Sequence, residues 1–168
     1  FVDKKTQPNE LQSTADFFGI APHGFSVTHV DSLSHVLRDG VLYNGRKADV
    51  VSTSRASTEL AVDLLKDGVV SRGVLLDFPR LRGVDWLERT DGIFPEDLDT
   101  AEREHGVKVR TGDVLLGRFG AMRRRNHEGP SRKVYENRPG FHATCCPWFH
   151  EREIAAIGSD SAQDLFPS

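Results

Sequence analysis

No stretch of this chain stays apolar long enough to cross a bilayer as a helix, which argues against a membrane-spanning protein. Neither sign of charge dominates: 22 basic against 25 acidic residues give a formal net charge of −3, so the total gives no sign of a polyanionic partner. The one dense basic run, Arg123-Arg124-Arg125, has no aromatic residues interleaved with it. A nucleic-acid face needs a broader basic stripe with stacking residues, so the run reads as a solvated loop and no nucleic-acid partner is expected. Cysteine is scarce. Cys145 and Cys146 are neighbours, too close in sequence for an ordinary loop-closing bridge and without the spacing of a CxxC motif. They read as two buried thiols in a reducing compartment. The chain opens without a basic-then-apolar leader, which makes a cytoplasmic protein the expectation. Its Gly-x-Gly fragments are too scattered for a nucleotide loop, and no internal repeat or low-complexity tract is present.

The 168 residues fit a single domain spanning 1–168, and an apolar share of 38% is enough for one core. The start on Phe1 and the stop after Phe166-Pro167-Ser168 read as cuts through a longer chain. Residues 1–20 are polar and mixed, with one helical turn expected around Thr14 to Phe18. Alternation of Phe25, Val27, His29 and Asp31 with Ser26, Thr28 and Val30 predicts a strand over 24–31. Asp31 then serves as the N-cap of a helix that Asp39-Gly40 ends. Val41-Leu42-Tyr43 is a short extended piece, and Asn44-Gly45 signals a turn. A second helix is predicted over 57–66 with Gly68 as its stop, and a buried strand over 73–78. Pro95 and the acids after it open a helix that Gly106 closes. Residues 113–119 form another buried strand, 151–156 a helix, and 156–160 a strand ending on a carboxylate. Strands alternating with helices indicate an α/β domain, a mixed sheet with flanking helices.

The chemistry concentrates in thirteen residues, His23-Gly-Phe-Ser-Val-Thr-His-Val-Asp-Ser-Leu-Ser-His35, which hold three histidines and a carboxylate. Divalent transition metals take imidazole and carboxylate together, and a catalytic site needs about three protein ligands with one position open. On a strand, His29 and Asp31 project to the same face and can grip one ion. His23 shares their parity and reaches the ion if the chain bends near Gly24. His35, one helical turn beyond Asp31, flanks it.

Thr28-His29-Val30-Asp31-Ser32-Leu33-Ser34-His35 resembles the T-H-x-D-x-x-x-H core of the metal-dependent cyclase-like hydrolases, which include bacterial kynurenine formamidase and isatin hydrolase. The likeness continues in order through Asp39-Gly-Val-Leu-Tyr-Asn-Gly45, Ser71-Arg-Gly-Val-Leu-Leu-Asp77, Pro95-Glu-Asp-Leu98, Gly112-Asp-Val-Leu-Leu116, Gly140-Phe-His-Ala143 and Pro147-Trp-Phe-His-Glu151. It implies a swivelling β/β/α-type fold and a divalent metal, Zn or Mn, with His29 and Asp31 as ligands and His35 as proton shuttle. The family's usual first ligand falls at Phe25 here, which leaves His23 as the third ligand. Leu33 stands where many members have proline. Two-metal members supply a further histidine and glutamate beyond a strand end like Gly158-Ser159-Asp160. Only Asp160 and Asp164 are available there, so one metal is expected and a second is left open.

The resemblance implies hydrolysis of an amide or cyclic amide, an aryl formamide or isatin-like small molecule, by an oligomer, a homodimer or larger. The rivals are a non-catalytic scaffold of the same fold and a ring-closing cyclase. Tyr43 and Asn44 line the pocket or simply make a turn. His142 is a candidate for facing the pocket, Trp148 reads as core, and His105 and His127 read as exposed.

Overall fold

The computed structural model describes residues 15–20, 22–24, 27–52, 56–131 and 136–165. The chain forms two compact units, Phe1–Val62 and Asp63–Ser168. Among the described residues no helix is long and apolar enough to cross a membrane.

The described residues of the first unit form mostly turns and irregular chain, with one short strand pair. Residues 15–20 have no regular structure, and Thr14 lies outside the described residues. The strand expected over 24–31 is absent where the chain is described: residues 27–32 run without ladder partners, and Phe25 and Ser26 lie outside. The helix expected after Asp31 is also absent. Ser32 and Ser34 pair through their hydroxyls at 2.8 Å, and the Ser34 N–H goes to the Leu60 carbonyl at 3.2 Å instead of to a helical partner. A tight hairpin follows. Arg38 and Val41 exchange both N–H···O bonds at 2.9 Å, and the two residues between them, Asp39 (φ 52°) and Gly40 (φ 75°), are both left-handed. Asp-Gly suits such a two-residue turn, so it makes a hairpin rather than ending a helix. The Asn44-Gly45 turn is present, again with both φ positive. Strand β1 (Val51–Ser52) pairs antiparallel with β2 (Ala56–Ser57). The helix expected over 57–66 reduces to a 3-10 turn at Val62–Leu65, because Leu60 is left-handed (φ 57°) and breaks any continuous helix. Among the unit's described apolar residues only Leu42 is buried.

The second unit carries a parallel sheet. Its strands are β3 (Gly73–Asp77), β5 (Val114–Arg118) and β7 (Ala156–Ser159), in the order β3-β5-β7. All three fall where the apolar runs predict them. Leu75 stands opposite Leu116 and Leu116 opposite Gly158. Val74, Leu76 and Leu115 face the core, while Leu75 and Leu116 are partly exposed on the other face. Asp77 caps α1 (Phe78–Arg82) by accepting the Arg80 N–H at 3.0 Å, and it pairs with Arg118 across the sheet at 2.7 Å. Helix α2 (Pro95–His105) begins where Asp97 accepts the Phe94 N–H at 2.9 Å and stops at Gly106 (φ 65°). It buries Leu98 and Ala101. Two short parallel strands, β4 (Gly92–Ile93) and β6 (Gly140–Phe141), complete the described sheets. Phe78, Phe119 and Phe141 pack ring against ring, with centroids 5.2 to 5.9 Å apart.

Two helices depart from expectation. The Arg123–Arg125 run lies on α3 (Ala121–Glu128), not in a loop. Arg124 pairs with Glu128 at 2.9 Å and Glu88 at 3.0 Å, and Arg123 with Asp85 at 2.8 Å. Helix α4 occupies Cys145–Glu151 rather than 151–156. Pro147 sits in its first turn, where a missing N–H costs no helix bond. Glu153 (φ 49°) breaks the chain out of the helix so that Ala156 can enter β7. Trp148 is core, as expected, and its indole N–H donates to Asp99 at 2.9 Å beneath the Arg152 guanidinium. Only Cys145 is buried; Cys146 is exposed, so the pair of buried thiols is not borne out.

Candidate metal centre

The cluster foreseen in sequence is assembled, by loops instead of by a strand and a helix. Gly24 (φ 142°) adopts a backbone conformation that suits glycine and provides the bend after His23. His23 Nδ1 lies 2.8 Å from Asp31 Oδ1. His29 Nε2 lies 3.4 Å from the same oxygen. Its other ring nitrogen, Nδ1, donates to the Val27 carbonyl at 2.7 Å. That bond selects the tautomer whose Nε2 lone pair faces Asp31, the arrangement a metal-binding imidazole needs. His35 approaches the second carboxylate oxygen, with Nε2 3.7 Å from Asp31 Oδ2. Its ring stacks on that of His23, centroids 4.1 Å apart and planes within 7°. One carboxylate is thus ringed by three imidazoles.

The donor set fits a divalent ion. The ligand atoms of His23, His29 and Asp31 all lie within 4.8 Å of one another, the only such trio among the described residues. Donors held about 2.1 Å from a tetrahedral zinc stand roughly 3.4 Å apart. The His29–Asp31 separation already has that value, and the His23–Asp31 contact needs to open only slightly. Two neutral nitrogens and one anionic oxygen suit zinc or manganese. The carboxylate side chain is 43% exposed and that of His29 20%, so the group is open to solvent.

Other candidates lie elsewhere in their units or hold structure. Tyr43 is exposed and Asn44 makes the turn. In the second unit His142 is half-buried; its Nδ1 accepts the Thr144 N–H at 3.2 Å and its ring rests on Phe94. His127 is exposed beside Trp86. His105 is not exposed as expected: both ring nitrogens are shielded, at the C-terminal turn of α2. Asp160 accepts the Phe119 N–H at 2.7 Å, and Asp164 pairs with Arg138 at 2.9 Å. Sequence reasoning passed over Ser34, which is buried beside the cluster and bonds through its N–H to the Leu60 carbonyl at 3.2 Å. The hydroxyls of Ser32 and Ser34, one on each side of Leu33, are the signal the sequence offers for this turn.

Comparison with known proteins places the chain in a family. Residues 7–163 match the model of the Cyclase family, whose description reads "Putative cyclase". No curated protein matches. A solved structure described as "Crystal structure of a novel cyclase" is similar, with a TM-score of 0.69 and 28% identity over 77% of this chain. The match spans 44% of that protein's length. The resemblance read from the T-H-x-D-x-x-x-H segment and the α/β architecture agree with this likeness, and the chain belongs to the cyclase family.

Proposed function

We propose that this protein is a metal-dependent hydrolase of the kynurenine formamidase and isatin hydrolase branch, cleaving an amide or cyclic amide. The observation that carries the reading is the convergence of His23, His29 and Asp31 donor atoms, with a third imidazole, His35, beside the same carboxylate. A divalent ion held there supplies Lewis acidity, polarising a carbonyl and making water acidic near neutral pH. The chain's own residues do the rest. The Val27 carbonyl keeps His29 in the metal-binding tautomer. Asp31 Oδ1 accepts from His23 Nδ1 at 2.8 Å and so orients that ring, while Oδ2 faces His35 Nε2 at 3.7 Å. His35, with its Nε2 3.7 Å from the second Asp31 oxygen, moves the proton. In the net reaction a carbon–oxygen bond forms from water, the carbon–nitrogen bond breaks, and the proton is delivered to the leaving nitrogen.

Metal analysis of the wild-type chain and of His29→Ala, with assays on an N-formyl aryl amide and an isatin-type lactam, tests the reading. Stoichiometric zinc or manganese that disappears in His29→Ala, with turnover that falls in His35→Ala, is expected. Metal without turnover of either substrate would point to ring closure or to a scaffold, and no metal in any preparation would remove the hydrolase reading.

A further inference from the structure

Ser34 is 9% exposed although its neighbours Leu33 and His35 both face solvent. Its hydroxyl is used on Ser32 and its N–H on the Leu60 carbonyl. The Ser32 carbonyl in turn accepts the His35 N–H at 3.0 Å, and Asp31 is the residue immediately before. One compact turn therefore sits between the shared carboxylate and the third imidazole, and its far side is tied to a residue 26 positions along (60 − 34).

The tie is made at a backbone cost. Leu60 is left-handed (φ 57°), and it has no short polar side chain of the kind that lets asparagine or aspartate rest there. Such conformations persist where the surroundings over-determine them, and they gather at functional sites. Here the consequence is local and visible: the Leu60 carbonyl meets the Ser34 N–H.

We propose that Ser32, Ser34 and the Leu60 carbonyl form a clamp that positions Asp31 and His35 for the ion. Ser32 and Ser34 are positioning residues; they touch neither metal nor substrate. The inference rests on the metal-centre reading above and goes beyond it, since ligands alone do not require the clamp. Outer partners that orient ligands commonly account for about ten- to hundredfold in metal affinity.

Calorimetric titration of the 168-residue chain with zinc, and the visible spectrum of its cobalt(II) form, provide the test. Ser34→Ala and Ser32→Ala are each expected to weaken zinc binding about tenfold or more and to change the cobalt band, with the far-UV circular dichroism of the wild type. Ser32→Thr, which keeps the hydroxyl, should retain wild-type affinity. Because the two hydroxyls act as one pair, the double alanine variant should bind no worse than the weaker single one. Should Ser34→Ala fail to fold, the Ser32→Ala and Ser32→Thr pair decides. Wild-type affinity in the alanine variants, or Ser32→Thr as weak as Ser32→Ala, overturns the clamp while leaving the metal centre standing. A wild-type chain that binds neither ion overturns the metal reading itself.

Discussion

Gly120 is buried and opens α3 at φ 83°. A methyl group placed there would stand 2.7 Å from the Trp86 Cα and 2.8 Å from the Asp85 carbonyl oxygen, where ordinary contact begins at 3.4 Å. The obstacle is backbone, so it cannot swing aside as a side-chain tip would. Residues 85 and 86 would have to retreat by about 0.7 Å (3.4 − 2.7). That movement pulls on the Leu87 N–H bond to the Phe119 carbonyl, 2.9 Å, and on the Arg123–Asp85 pair. An L-residue held left-handed costs roughly 1–2 kcal/mol, and crowding a packed site typically about 1–3 kcal/mol. Gly120→Ala should therefore lose about 2–5 kcal/mol, a large share of the roughly 5–15 kcal/mol typical of a folded domain. Urea unfolding followed by far-UV circular dichroism should show a lower midpoint with an unchanged slope. Gly120→Asn separates the two causes, since asparagine tolerates the left-handed backbone but still carries a Cβ. If it is as poor as alanine, crowding dominates. A loss under about 0.5 kcal/mol in natively folded Gly120→Ala would refute the argument.

Other expectations follow from single side chains. Leu115→Ala, at a fully buried position in the central strand, should cost about 2–5 kcal/mol in the same unfolding assay. The Arg72 guanidinium hydrogen-bonded to Asp113 holds that carboxyl below its usual range. The stability this pair contributes is therefore complete above about pH 4 and is lost as pH falls through the lower, folded value; Asp113→Asn should be less stable at neutral pH and lack that part of the acid decline. Burial pushes the Cys145 thiol up to about 12, whereas Cys146 is exposed, so a thiol reagent should label one cysteine in the native chain and two after unfolding. Asp31→Asn removes the charge three imidazoles share, and zinc binding by calorimetry should fall at least about tenfold with the fold retained.

The parallel strands were legible because burial writes itself as short apolar runs between glycine and proline, and Gly73–Asp77 and Val114–Arg118 lie inside theirs. Helix α2 was legible from Pro95 and Gly106, which mark its ends chemically. Helix α4 was not, because Pro147 in its first turn is its one opening signal and Thr144 makes no side-chain cap bond to mark the start. In the first unit the grouping of His23, His29 and Asp31 was legible and the backbone that carries it was not. Period-two alternation around His29 suggested a strand, yet Asp39-Gly40 and Asn44-Gly45 spend the neighbouring chain on tight turns. Leucine is not a residue from which a left-handed backbone is expected, so the break at Leu60 had no warning in the sequence. His23, His29 and Asp31 come together in the structure although the expected strand is absent where the chain is described.

Leu42 is the sole buried apolar side chain among the described residues of the first unit, so apolar burial there gives them little support. In so thin a scaffold a bound cation would act as a staple as well as a reagent, because the free energy of gripping it is also free energy of ordering the segments that grip. Chelation should then loosen the segment around His29 and Asp31 before the sheet of the second unit gives way, and hydrogen exchange would register that loosening in the first unit alone. Scarcity of the ion would by this route limit how long the first unit survives proteolysis.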